Sequence, residues 1–458
     1  MTEASVIETS APAEGVTETL NREAVERAAA QEPTWLAERR AHAWDVYERT
    51  PLPSTKLEEW RYTDVRRLLD LDALTPAPRP EAGTGEALLE GLDGLPAGLR
   101  AVMAEDREAA GHVAIVDGCV RHVDLSDELA RQGIVLTSLA RAVQLHPELL
   151  EEHLATHAVP PEEGKFQALN AALWADGVFL YVPAGASLDL PVRVSRWLSG
   201  GGLAVFSRTL IVAEAGARVS FVDEIVSDDL DAQSLESSVV EVIARDGAQV
   251  QYVSLQRLGH RAFYQAAQRT LAGRDATLDT LNVSLGASVA RVDLNARLLG
   301  PGANSDMLGL YFGDGDQHFD HNTSQDHEAP NAHSDLLYKG ALDGHAHAVF
   351  RGIIRVHEGA QGTDAYQTNR NLILSEHARA DSLPNLEIEA DDVRCSHGAT
   401  VGQLDQETLF YLMSRGIPQQ PAERLVVMGF LGEVLSRLPL GGVVDKVTRA
   451  IEVKLRHG

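Results

Sequence analysis

A repeated turn-and-strand pattern in the middle of the chain decides the fold. Residues 210–257 read LIVAEAGARVSFVDEIVSDDLDAQSLESSVVEVIARDGAQVQYVSLQR, and each Gly-Ala pair in this stretch precedes a run of alternating apolar and polar residues. Alternation with a period of two is typical of β-strands, and glycine supplies the backbone freedom that a tight turn requires. The stretch therefore predicts short strands joined by tight turns.

The same kind of pair returns through the rest of the middle region, with Gly, Asp, Asn or His before the alanine. The alanines fall 31, 31, 28, 27, 29, 28, 18 and 21 residues apart. So steady a spacing is typical of a stacked array, in which small alanines fit where successive turns lie ~4.8 Å apart. The predicted fold class is mainly β, with a right-handed parallel β-helix core; a β-sandwich, in which Gly-Ala turns also occur, is the alternative. The pairs are Gly185-Ala186, Gly216-Ala217, Gly247-Ala248, Asp275-Ala276, Gly302-Ala303, Asn331-Ala332, Gly359-Ala360, His377-Ala378 and Gly398-Ala399.

Helical patterns flank this core on both sides. Two helices are expected between residues 20 and 49 with a break at Pro33, and another over 139–157. Three more are expected over 406–414, 421–438 and 444–456. The predicted organisation is a disordered tail over 1–15, a mostly helical region over 16–160, the β-helix over 161–403 and a helical domain over 404–458.

Charge and composition exclude several classes of partner and location. The 458-residue chain carries 67 Asp and Glu against 40 Lys and Arg, a net charge of −27, so nucleic acid and anionic membrane are poor partners. No run approaches the ~18 apolar residues of a membrane span, and the acidic N-terminus lacks the pattern of a signal peptide. Only two cysteines occur, Cys119 and Cys395, which fits a reducing compartment. The expected location is the cytoplasm.

Histidines and carboxylates concentrate between residues 318 and 397. His318 and His347 each lie 15 residues after the alanine of their coil, so they are expected to stack in adjacent coils. His377 and His397 follow at 17 and 19 residues, close to the same phase. Imidazoles are good metal ligands, but polar ladders also decorate the outsides of β-helices without binding anything. A metal site formed by this chain alone is the less favoured interpretation, and one completed by a second chain is favoured over it.

Cys395-Ser396-His397-Gly398 is the sharpest local feature. In an extended segment Cys395 and His397 project from one face, where an imidazole can lower the pKa of a thiol and make it a nucleophile, a sulfur acceptor or a metal ligand. The alternative is a small buried hydrophobe, which is the commoner role of a lone cysteine in a strand. Cys119 has no such neighbour and is expected to be structural.

Signatures of nucleotide hydrolysis and acyl transfer are missing from the sequence. Gly164-Lys165 lacks the upstream glycine of a phosphate-binding loop, and Phe166 follows the lysine. The patterns G-x-G-x-x-G and G-x-S-x-G are also absent. The chain is therefore expected to have no ATP site of its own.

Five sequence blocks resemble the SufB/SufD family of iron–sulfur cluster assembly proteins. The resemblance implies a β-helix core with helical flanks, a SufB-like paralogue that pairs through the β-helices, and a SufC-like ATPase that binds the C-terminal helical domain. Apolar residues of that domain, Phe410, Leu425, Phe430 and Leu431, are candidates for the docking face. The blocks are KLEEWRYTD (56–64), DHEAPNAHSD (326–335), FRGI (350–353), CSHGATVG (395–402) and LFYLMSRG (409–416).

Within that family the chain is more similar to the SufD branch. The SufB branch has Glu-His-Glu-Ala-Thr in place of residues 396–400, and a sulfur-accepting cysteine where this chain has Thr368-Asn369-Arg370. The resemblance implies a non-catalytic scaffold whose cluster is transient and shared with the partner, with His397 and Cys395 as the cluster-interface and metal-ligand candidates. FAD is a candidate cofactor of the complex, and a homodimer is an alternative when the paralogue is absent. The competing functional hypothesis is a polysaccharide-active β-helix enzyme.

Overall fold

The computed structural model describes residues 17–79, 88–89, 91–105, 108–440 and 442–457. The tail predicted to be disordered, residues 1–15, lies outside this range. Three short 3-10 helices cover Glu58–Trp60, Leu71–Ala73 and Pro161–Glu163. The α-helices are α1 Arg22–Ala29, α2 Thr34–Arg49, α3 Val65–Leu68, α4 Ala97–Glu105, α5 Asp127–Arg131, α6 Leu139–Leu145, α7 Pro147–Leu150, α8 Lys165–Leu173, α9 Gln406–Ser414, α10 Gln419–Arg437 and α11 Val443–His457.

The strands form two ten-stranded sheets. Sheet A has the order β19-β17-β15-β13-β11-β9-β7-β5-β4, with β1 paired to β7, and sheet B has the order β20-β18-β16-β14-β12-β10-β8-β6-β2-β3. The strands are β1 Thr75–Pro76, β2 Gly111–Val116, β3 Cys119–Leu125, β4 Val135–Ser138, β5 Asp176–Val182, β6 Val192–Trp197, β7 Leu203–Ala213, β8 Arg218–Val226, β9 Ser234–Ala244, β10 Gln249–Arg257, β11 Ala262–Ala272, β12 Thr277–Ser284, β13 Val289–Leu298, β14 Asn304–Gly313, β15 His318–His327, β16 His333–Leu342, β17 His347–Val356, β18 Thr363–Ile373, β19 Arg379–Ile388 and β20 Val393–Gln403.

From β5 onward the chain winds as a parallel β-solenoid of about eight coils, which confirms the mainly β, coiled core predicted from the repeat. Odd-numbered strands enter sheet A, even-numbered strands enter sheet B, and each strand pairs in parallel with its equivalent one coil away. Because successive coils are hydrogen-bonded along their whole length, the backbone polar groups of the interior are paired without any helix.

The turn alanines explain the repeat. Ala217, Ala248, Ala276, Ala303 and Ala332 are fully or almost fully buried and stack along one edge of the solenoid. The residue before the alanine adopts positive φ in this series, which favours glycine; the two exceptions, an Asp and an Asn, belong to the non-glycine types that tolerate this conformation best.

The last two spacings of the predicted repeat, 18 and 21 residues, come from a mixture of turns. Ala378 precedes a sheet A strand and so lies at the opposite turn of its coil, whereas Gly398-Ala399 lies inside β20 and forms no turn. The register pairs Thr363 with Val393, so the coil after Ala360 continues at Ala390, 30 residues later.

Helices cover the outer face of each sheet. On sheet A, Trp44, Tyr47 and Phe166 from the N-terminal region pack in one apolar cluster with Phe206 and Leu210 of β7. On sheet B, Val427 and Leu431 of α10 and Val447 of α11 pack with Val253 and Leu281. Where helices pack on it, each sheet therefore buries both faces, one in the lumen and one under helices, as is usual for parallel sheets.

The predicted helices are found, one of them interrupted, and α8 (Lys165–Leu173) is a helix in the segment 161–403 that was predicted to be β-helix. Pro33 separates α1 from α2, and α9, α10 and α11 fall where the pattern predicted them. The helix predicted over 139–157 is interrupted, since His146 leaves helical geometry and Pro147 opens α7. The region 16–160, predicted to be mostly helical, also contributes β1 to β4, of which β2, β3 and β4 extend the two sheets beyond the first coil.

The lumen changes character along the solenoid. Apolar side chains such as Val194, Phe221 and Val242 fill the first coils, around a buried ionic cluster of Arg196, Asp223 and Glu236. Towards the last coils the lumen is lined by polar side chains. These include His321, Gln325, His327, Ser334, Gln367 and Asn369, all completely shielded from solvent.

Candidate functional site

The last coil leaves the solenoid open at one end. Strands β19 and β20 are the outermost strands of sheets A and B, and within the described residues no further strand pairs with either. Most side chains of β20 are exposed, in contrast to the almost continuously buried strands one or two coils earlier. Apolar residues at this end also face solvent, among them Tyr366, Ile388 and Val401. The open end is therefore a chemically distinct surface of the molecule.

Cys395 and His397 lie together at this open end. Both belong to β20, and their register partners in β18 are Ala365 and Gln367, which are buried in the lumen. Residues two apart on a strand point to the same side, with Cα atoms about 6.6 Å apart. Cys395 packs partly against the apolar floor of the last coil, whereas His397 is exposed. The structure thus places both predicted residues on the inward side of the terminal strand, within reach of solvent.

The thiol of Cys395 is not activated within this chain. Partial burial raises its pKa above the ordinary value; a hydrogen bond with the backbone of Ala365 opposes the shift, and the charge of Asp364 adds to it. The lowering of the pKa by His397 that the sequence suggested is not among these influences. A thiolate here needs a metal ion or an added positive charge to stabilise it.

Beneath these two residues the lumen carries unsatisfied polar atoms. Gln367 lies one coil below His397, and neither its Nε2 nor its Oε1 has a hydrogen-bond partner among the described residues. One coil further, Ser334 contacts Gln325 Nε2 at 2.7 Å and His327 Nε2 at 2.8 Å. Burial lowers the pKa of His327 to about 4, so this imidazole is neutral at physiological pH. No feature of the sequence repeat pointed to this inward column, because the repeat fixes the turns and not the lumen contents.

The predicted histidine ladder is confirmed for its first pair only. His318 and His347 are register partners on β15 and β17, with ring centroids 5.0 Å apart. His377 instead stacks on His345, with ring centroids 4.9 Å apart and nearly parallel planes. His397 lies in the other sheet and joins neither pair. The prediction fails for His377 and His397 because their spacings are not counted from equivalent turns of the coil.

Both histidines of the first pair contact other protein groups, and His318 contacts the N-terminal region. His318 Nε2 lies 2.8 Å from Thr63 Oγ1, and the Thr63 hydroxyl donates to Asp320, which also binds Arg291. His347 Nε2 contacts Asp381 Oδ2 at 2.8 Å. His318 and Asp320, whose side chains could otherwise serve as a pair of metal donors, are therefore occupied by protein partners.

Among the described residues, one further group of side chains has the composition of a metal site. Ligand atoms of Asp326, Glu328 and His357 lie within 4.8 Å of one another. Arg297 already pairs with Glu328 at 2.7 Å, and His357 with Asp326 at 2.8 Å, while Arg355 lies 3.7 Å from Asp326. This arrangement is an ion-pair ladder across neighbouring coils, since each acid is met by a basic group.

The C-terminal helices present an apolar surface of their own. Phe410 on α9 is 74% exposed and Leu425 on α10 is 54% exposed, and Tyr411 and Met413 extend this surface although sequence reasoning did not select them. The run of apolar residues along α9 could have predicted this surface, because a helix buries only one side and only Leu409 of α9 is buried. We call Phe410, Tyr411, Met413 and Leu425 the C-terminal patch.

Two residues expected on the docking face lie elsewhere. Leu431 is completely buried between α10 and sheet B, so it belongs to the core and its predicted docking role is wrong. Phe430 is half-buried, with Lys339 Nζ 4.4 Å from the centre of its ring. Leu431 shares the buried stripe of α10 with Val427, Val434 and Leu435, whereas Leu425 lies off that stripe.

Cys119 is buried, as a structural role requires. Its Sγ lies 3.2 Å from the carbonyl oxygen of Pro78, and burial raises its pKa to about 12. Across the part of the chain that the structure describes, no helix combines the length and the hydropathy that crossing a membrane would need.

The sequence matches two family descriptions over most of its length. Residues 196–430, more than half of the chain, match "SUF system FeS cluster assembly, SufBD core domain", and residues 109–194 match "SufBD protein N-terminal region". The core match spans β7 to β20 and most of α10, and the N-terminal match includes β2 to β5, the first strand of the solenoid.

Three relatives illustrate the similarity. The iron–sulfur cluster assembly protein SufD of Bacillus subtilis (strain 168) is 31% identical over 431 residues, which cover 93% of this chain and 95% of that protein. A SufBD family protein of Staphylococcus epidermidis (strain ATCC 12228 / FDA PCI 1200) is 29% identical over 91% of this chain and 88% of its own length. One from Staphylococcus haemolyticus (strain JCSC1435) is 29% identical over 94% and 91%, respectively. The chain therefore belongs to the SufBD family of iron–sulfur cluster assembly proteins and is SufD-like within that family.

Proposed function

We propose that this chain is a scaffold subunit that pairs with a SufB-like paralogue through the open end of its solenoid, where a nascent iron–sulfur cluster forms between the two chains. The observation that carries the proposal is the terminal coil, which combines two edge strands, each paired on one side only within the described residues, exposed apolar residues and the inward-facing Cys395 and His397. Long exposed edges are otherwise avoided, because they template pairing with other chains. A second copy of this chain is the alternative partner when the paralogue is absent.

The two edge strands differ in how well they suit such pairing. Strand β19 contains Pro384, which lacks a backbone N–H and is typical of sheet edges that stay unpaired. Strand β20 has no proline over its 11 residues and carries Cys395 and His397. This difference supports β20 as the strand that lies against the paralogue.

The site chemistry supports the cluster as cargo that is shared across the boundary. Thiolate and imidazole are both ligands of iron–sulfur clusters, but two ligands from one chain cannot complete a cluster. Since the pKa of Cys395 is raised in this chain, we propose His397 as the first ligand or proton-handling group, with Cys395 as the second. Persulfide chemistry is assigned mainly to the paralogue.

The C-terminal patch is proposed as the docking face for a SufC-like ATPase. Phe410 and Leu425 are exposed on α9 and α10, and exposed apolar residues clustered on helices are typical of partner interfaces. The chain has no phosphate-binding loop, so the partner would supply the ATP site. We propose a non-catalytic subunit in the cytoplasm, with FAD as a cofactor of the assembled complex and not of this chain alone. The family match removes the reason for the polysaccharide-active alternative, which rested on the solenoid fold.

Two measurements on the complex test this function. Co-purification of the tagged chain with SufB-like and SufC-like subunits is expected, and its failure would contradict the proposed partners.

His397→Ala is expected to preserve the fold and the complex but to lower cluster yield several-fold, because a ligand at the shared boundary is lost. Anaerobic reconstitution followed by visible absorbance measures that yield. The control is His377→Ala, an exposed histidine at a turn of the preceding coil, which should leave the yield unchanged. Normal yield from the His397 variant would remove this residue from the site.

A further inference from the structure

A cavity on the outer face of sheet A lies apart from the open end and from the C-terminal patch. Its volume is roughly 460 Å³, and it is bounded by strands β11, β13, β15 and β17, by residues 50–60 and by residues 162–167. Two of the sequence blocks line this cavity, and neither has a role in the proposed cluster assembly at the open end. Block 56–64 contributes Leu57 and Trp60, and block 350–353 contributes Arg351 and Ile353. The volume suits a small molecule.

The sheet wall of this cavity is polar in an ordered way. Asn295 pairs in register with Ser324, and Asn322 pairs with Arg351, so the four side chains form two adjacent rows. Each of the four carries a buried side-chain atom without a hydrogen-bond partner among the described residues: Asn295 Oδ1, Ser324 Oγ, Asn322 Oδ1 and Arg351 Nε. Buried polar groups are normally satisfied, so four in one wall indicate that something polar completes them.

The orientation of Asn322 shows that this wall lacks a hydrogen-bond donor. Its Nδ2 donates to Asp320 Oδ1 at 2.8 Å, which leaves Oδ1 as an acceptor without a donor. Asp320 is itself occupied by Thr63 and Arg291, so it supplies nothing further to the cavity. A ligand at this wall must therefore bring at least one proton of its own.

Arg351 supplies the charge. The other cations of the wall are engaged: Arg269 with Glu163, Arg291 with Asp293 and Asp320, and Lys165 with the backbone oxygen of Tyr47. No ion pair or hydrogen bond of Arg351 is found within the described part of the chain, and its register neighbours are Asn322 and Leu383, neither of which is charged. A half-buried guanidinium without a carboxylate partner favours an anion.

We propose that this cavity binds a small oxyanion that keeps one proton, of the hydrogen phosphate type. Arg351 donates to the oxyanion, Asn322 Oδ1 accepts its remaining O–H, and Ser324 does either. Leu57, Trp60 and Ile353 supply the apolar part of the lining. A divalent cation does not suit the site, because Glu162, Glu163 and Asp293 are already paired with basic side chains, and the remaining acid of the lining, the exposed Glu59, offers only one carboxylate.

Titration of the full-length chain with inorganic phosphate, followed by calorimetry, tests the proposal. Saturable binding is expected, weaker by about tenfold or more in Arg351→Gln, the loss typical of one charge-assisted pair. The matched control is Arg355→Gln, on the same strand and the same face but engaged with Glu387, which should bind phosphate as the unchanged chain does. Thermal unfolding of both variants shows whether the fold is intact.

Sulfate provides the second arm, because it has the same shape and no proton at neutral pH. Sulfate is expected to bind clearly more weakly than phosphate. Equal affinities for the two anions, or phosphate binding that Arg351→Gln leaves unchanged, would overturn the proposal. Absence of saturable binding would do so too, and would leave the cavity to water. None of these outcomes bears on cluster yield at the open end, so the two proposals fail independently.

Discussion

Cys395 and His397 illustrate how position in the solenoid sets the chemistry of a side chain. The same inward orientation that buries Gln367 one coil earlier leaves His397 exposed, because no coil follows. Partial burial is still enough to raise the pKa of the Cys395 thiol. Ligand binding at this thiol is therefore expected to depend on a partner or metal that stabilises its anion, and to weaken as the pH falls.

Buried histidines of the lumen make the stability of the chain depend on pH. Burial lowers the pKa of His321 to about 4, and its ring stacks on Tyr311 with Nε2 3.0 Å from Ser284 Oγ. Since this pKa lies below the ordinary value of 6.5, the unfolded chain binds the proton more readily. Stability from this group is complete above pH 6.5 and is lost as the pH falls towards 4.

We expect His321→Gln to flatten that pH dependence. The neutral side chain removes a contribution of about 3 kcal/mol to the change in unfolding free energy between pH 6.5 and 4. Urea unfolding at several pH values measures the slope, with the exposed His260→Gln as the control. Equal slopes for the unchanged chain and for His321→Gln would show that His321 is protonated in the folded state.

At the scale of elements, α10 separates a core face from a docking face. Leu431→Ala is expected to destabilise the chain by about 2–5 kcal/mol, because it opens a cavity between the helix and sheet B.

Phe410→Ser and Leu425→Ser should change stability by less than about 0.5 kcal/mol, since both side chains are exposed, and should weaken binding of the SufC-like subunit. Urea unfolding and pull-down assays separate the two effects. Undiminished SufC binding by the double surface variant would contradict the proposed docking face.

The elements also show what sequence patterns can and cannot predict. The positive-φ residues before Ala217, Ala248 and Ala276 made the coils predictable, because few residue types tolerate that turn. The two-residue spacing of Cys395 and His397 likewise fixed their shared face. The fate of His377 was not predictable, because two kinds of turn contribute to one apparent series. The occupants of the lumen also depend on contacts across coils that no local pattern encodes.

At the scale of the whole molecule, ion pairs hold the C-terminal helices against the solenoid. Lys446 of α11 pairs with the buried Glu224, and Arg437 of α10 binds Asp306 and Asp335 at 2.8 Å each. The Lys446–Glu224 pair is buried, so removing one of its partners is costly, whereas the Arg437 pairs are partly exposed and contribute less.

The two ends of the solenoid differ: among the described residues the sheets end in antiparallel strands, β4 and β3, at one end and in parallel strands, β19 and β20, at the other. Strand β3 caps sheet B through an antiparallel hairpin with β2, and β4 pairs antiparallel to β5 in sheet A. At the other end, β19 and β20 have no equivalent cap within the described residues. This difference supports the open end as the proposed assembly surface.

Hydrogen–deuterium exchange of the chain with and without the SufB-like paralogue tests this assignment most directly. Exchange of the backbone amides of Val393–Gln403 is expected to slow markedly in the complex, because pairing protects amides that the free edge exposes. Amides of α2, which packs on the outer face of sheet A, should exchange equally in both states. Unchanged exchange in β20, with protection appearing on the outer faces of the sheets instead, would contradict a partner boundary at the open end.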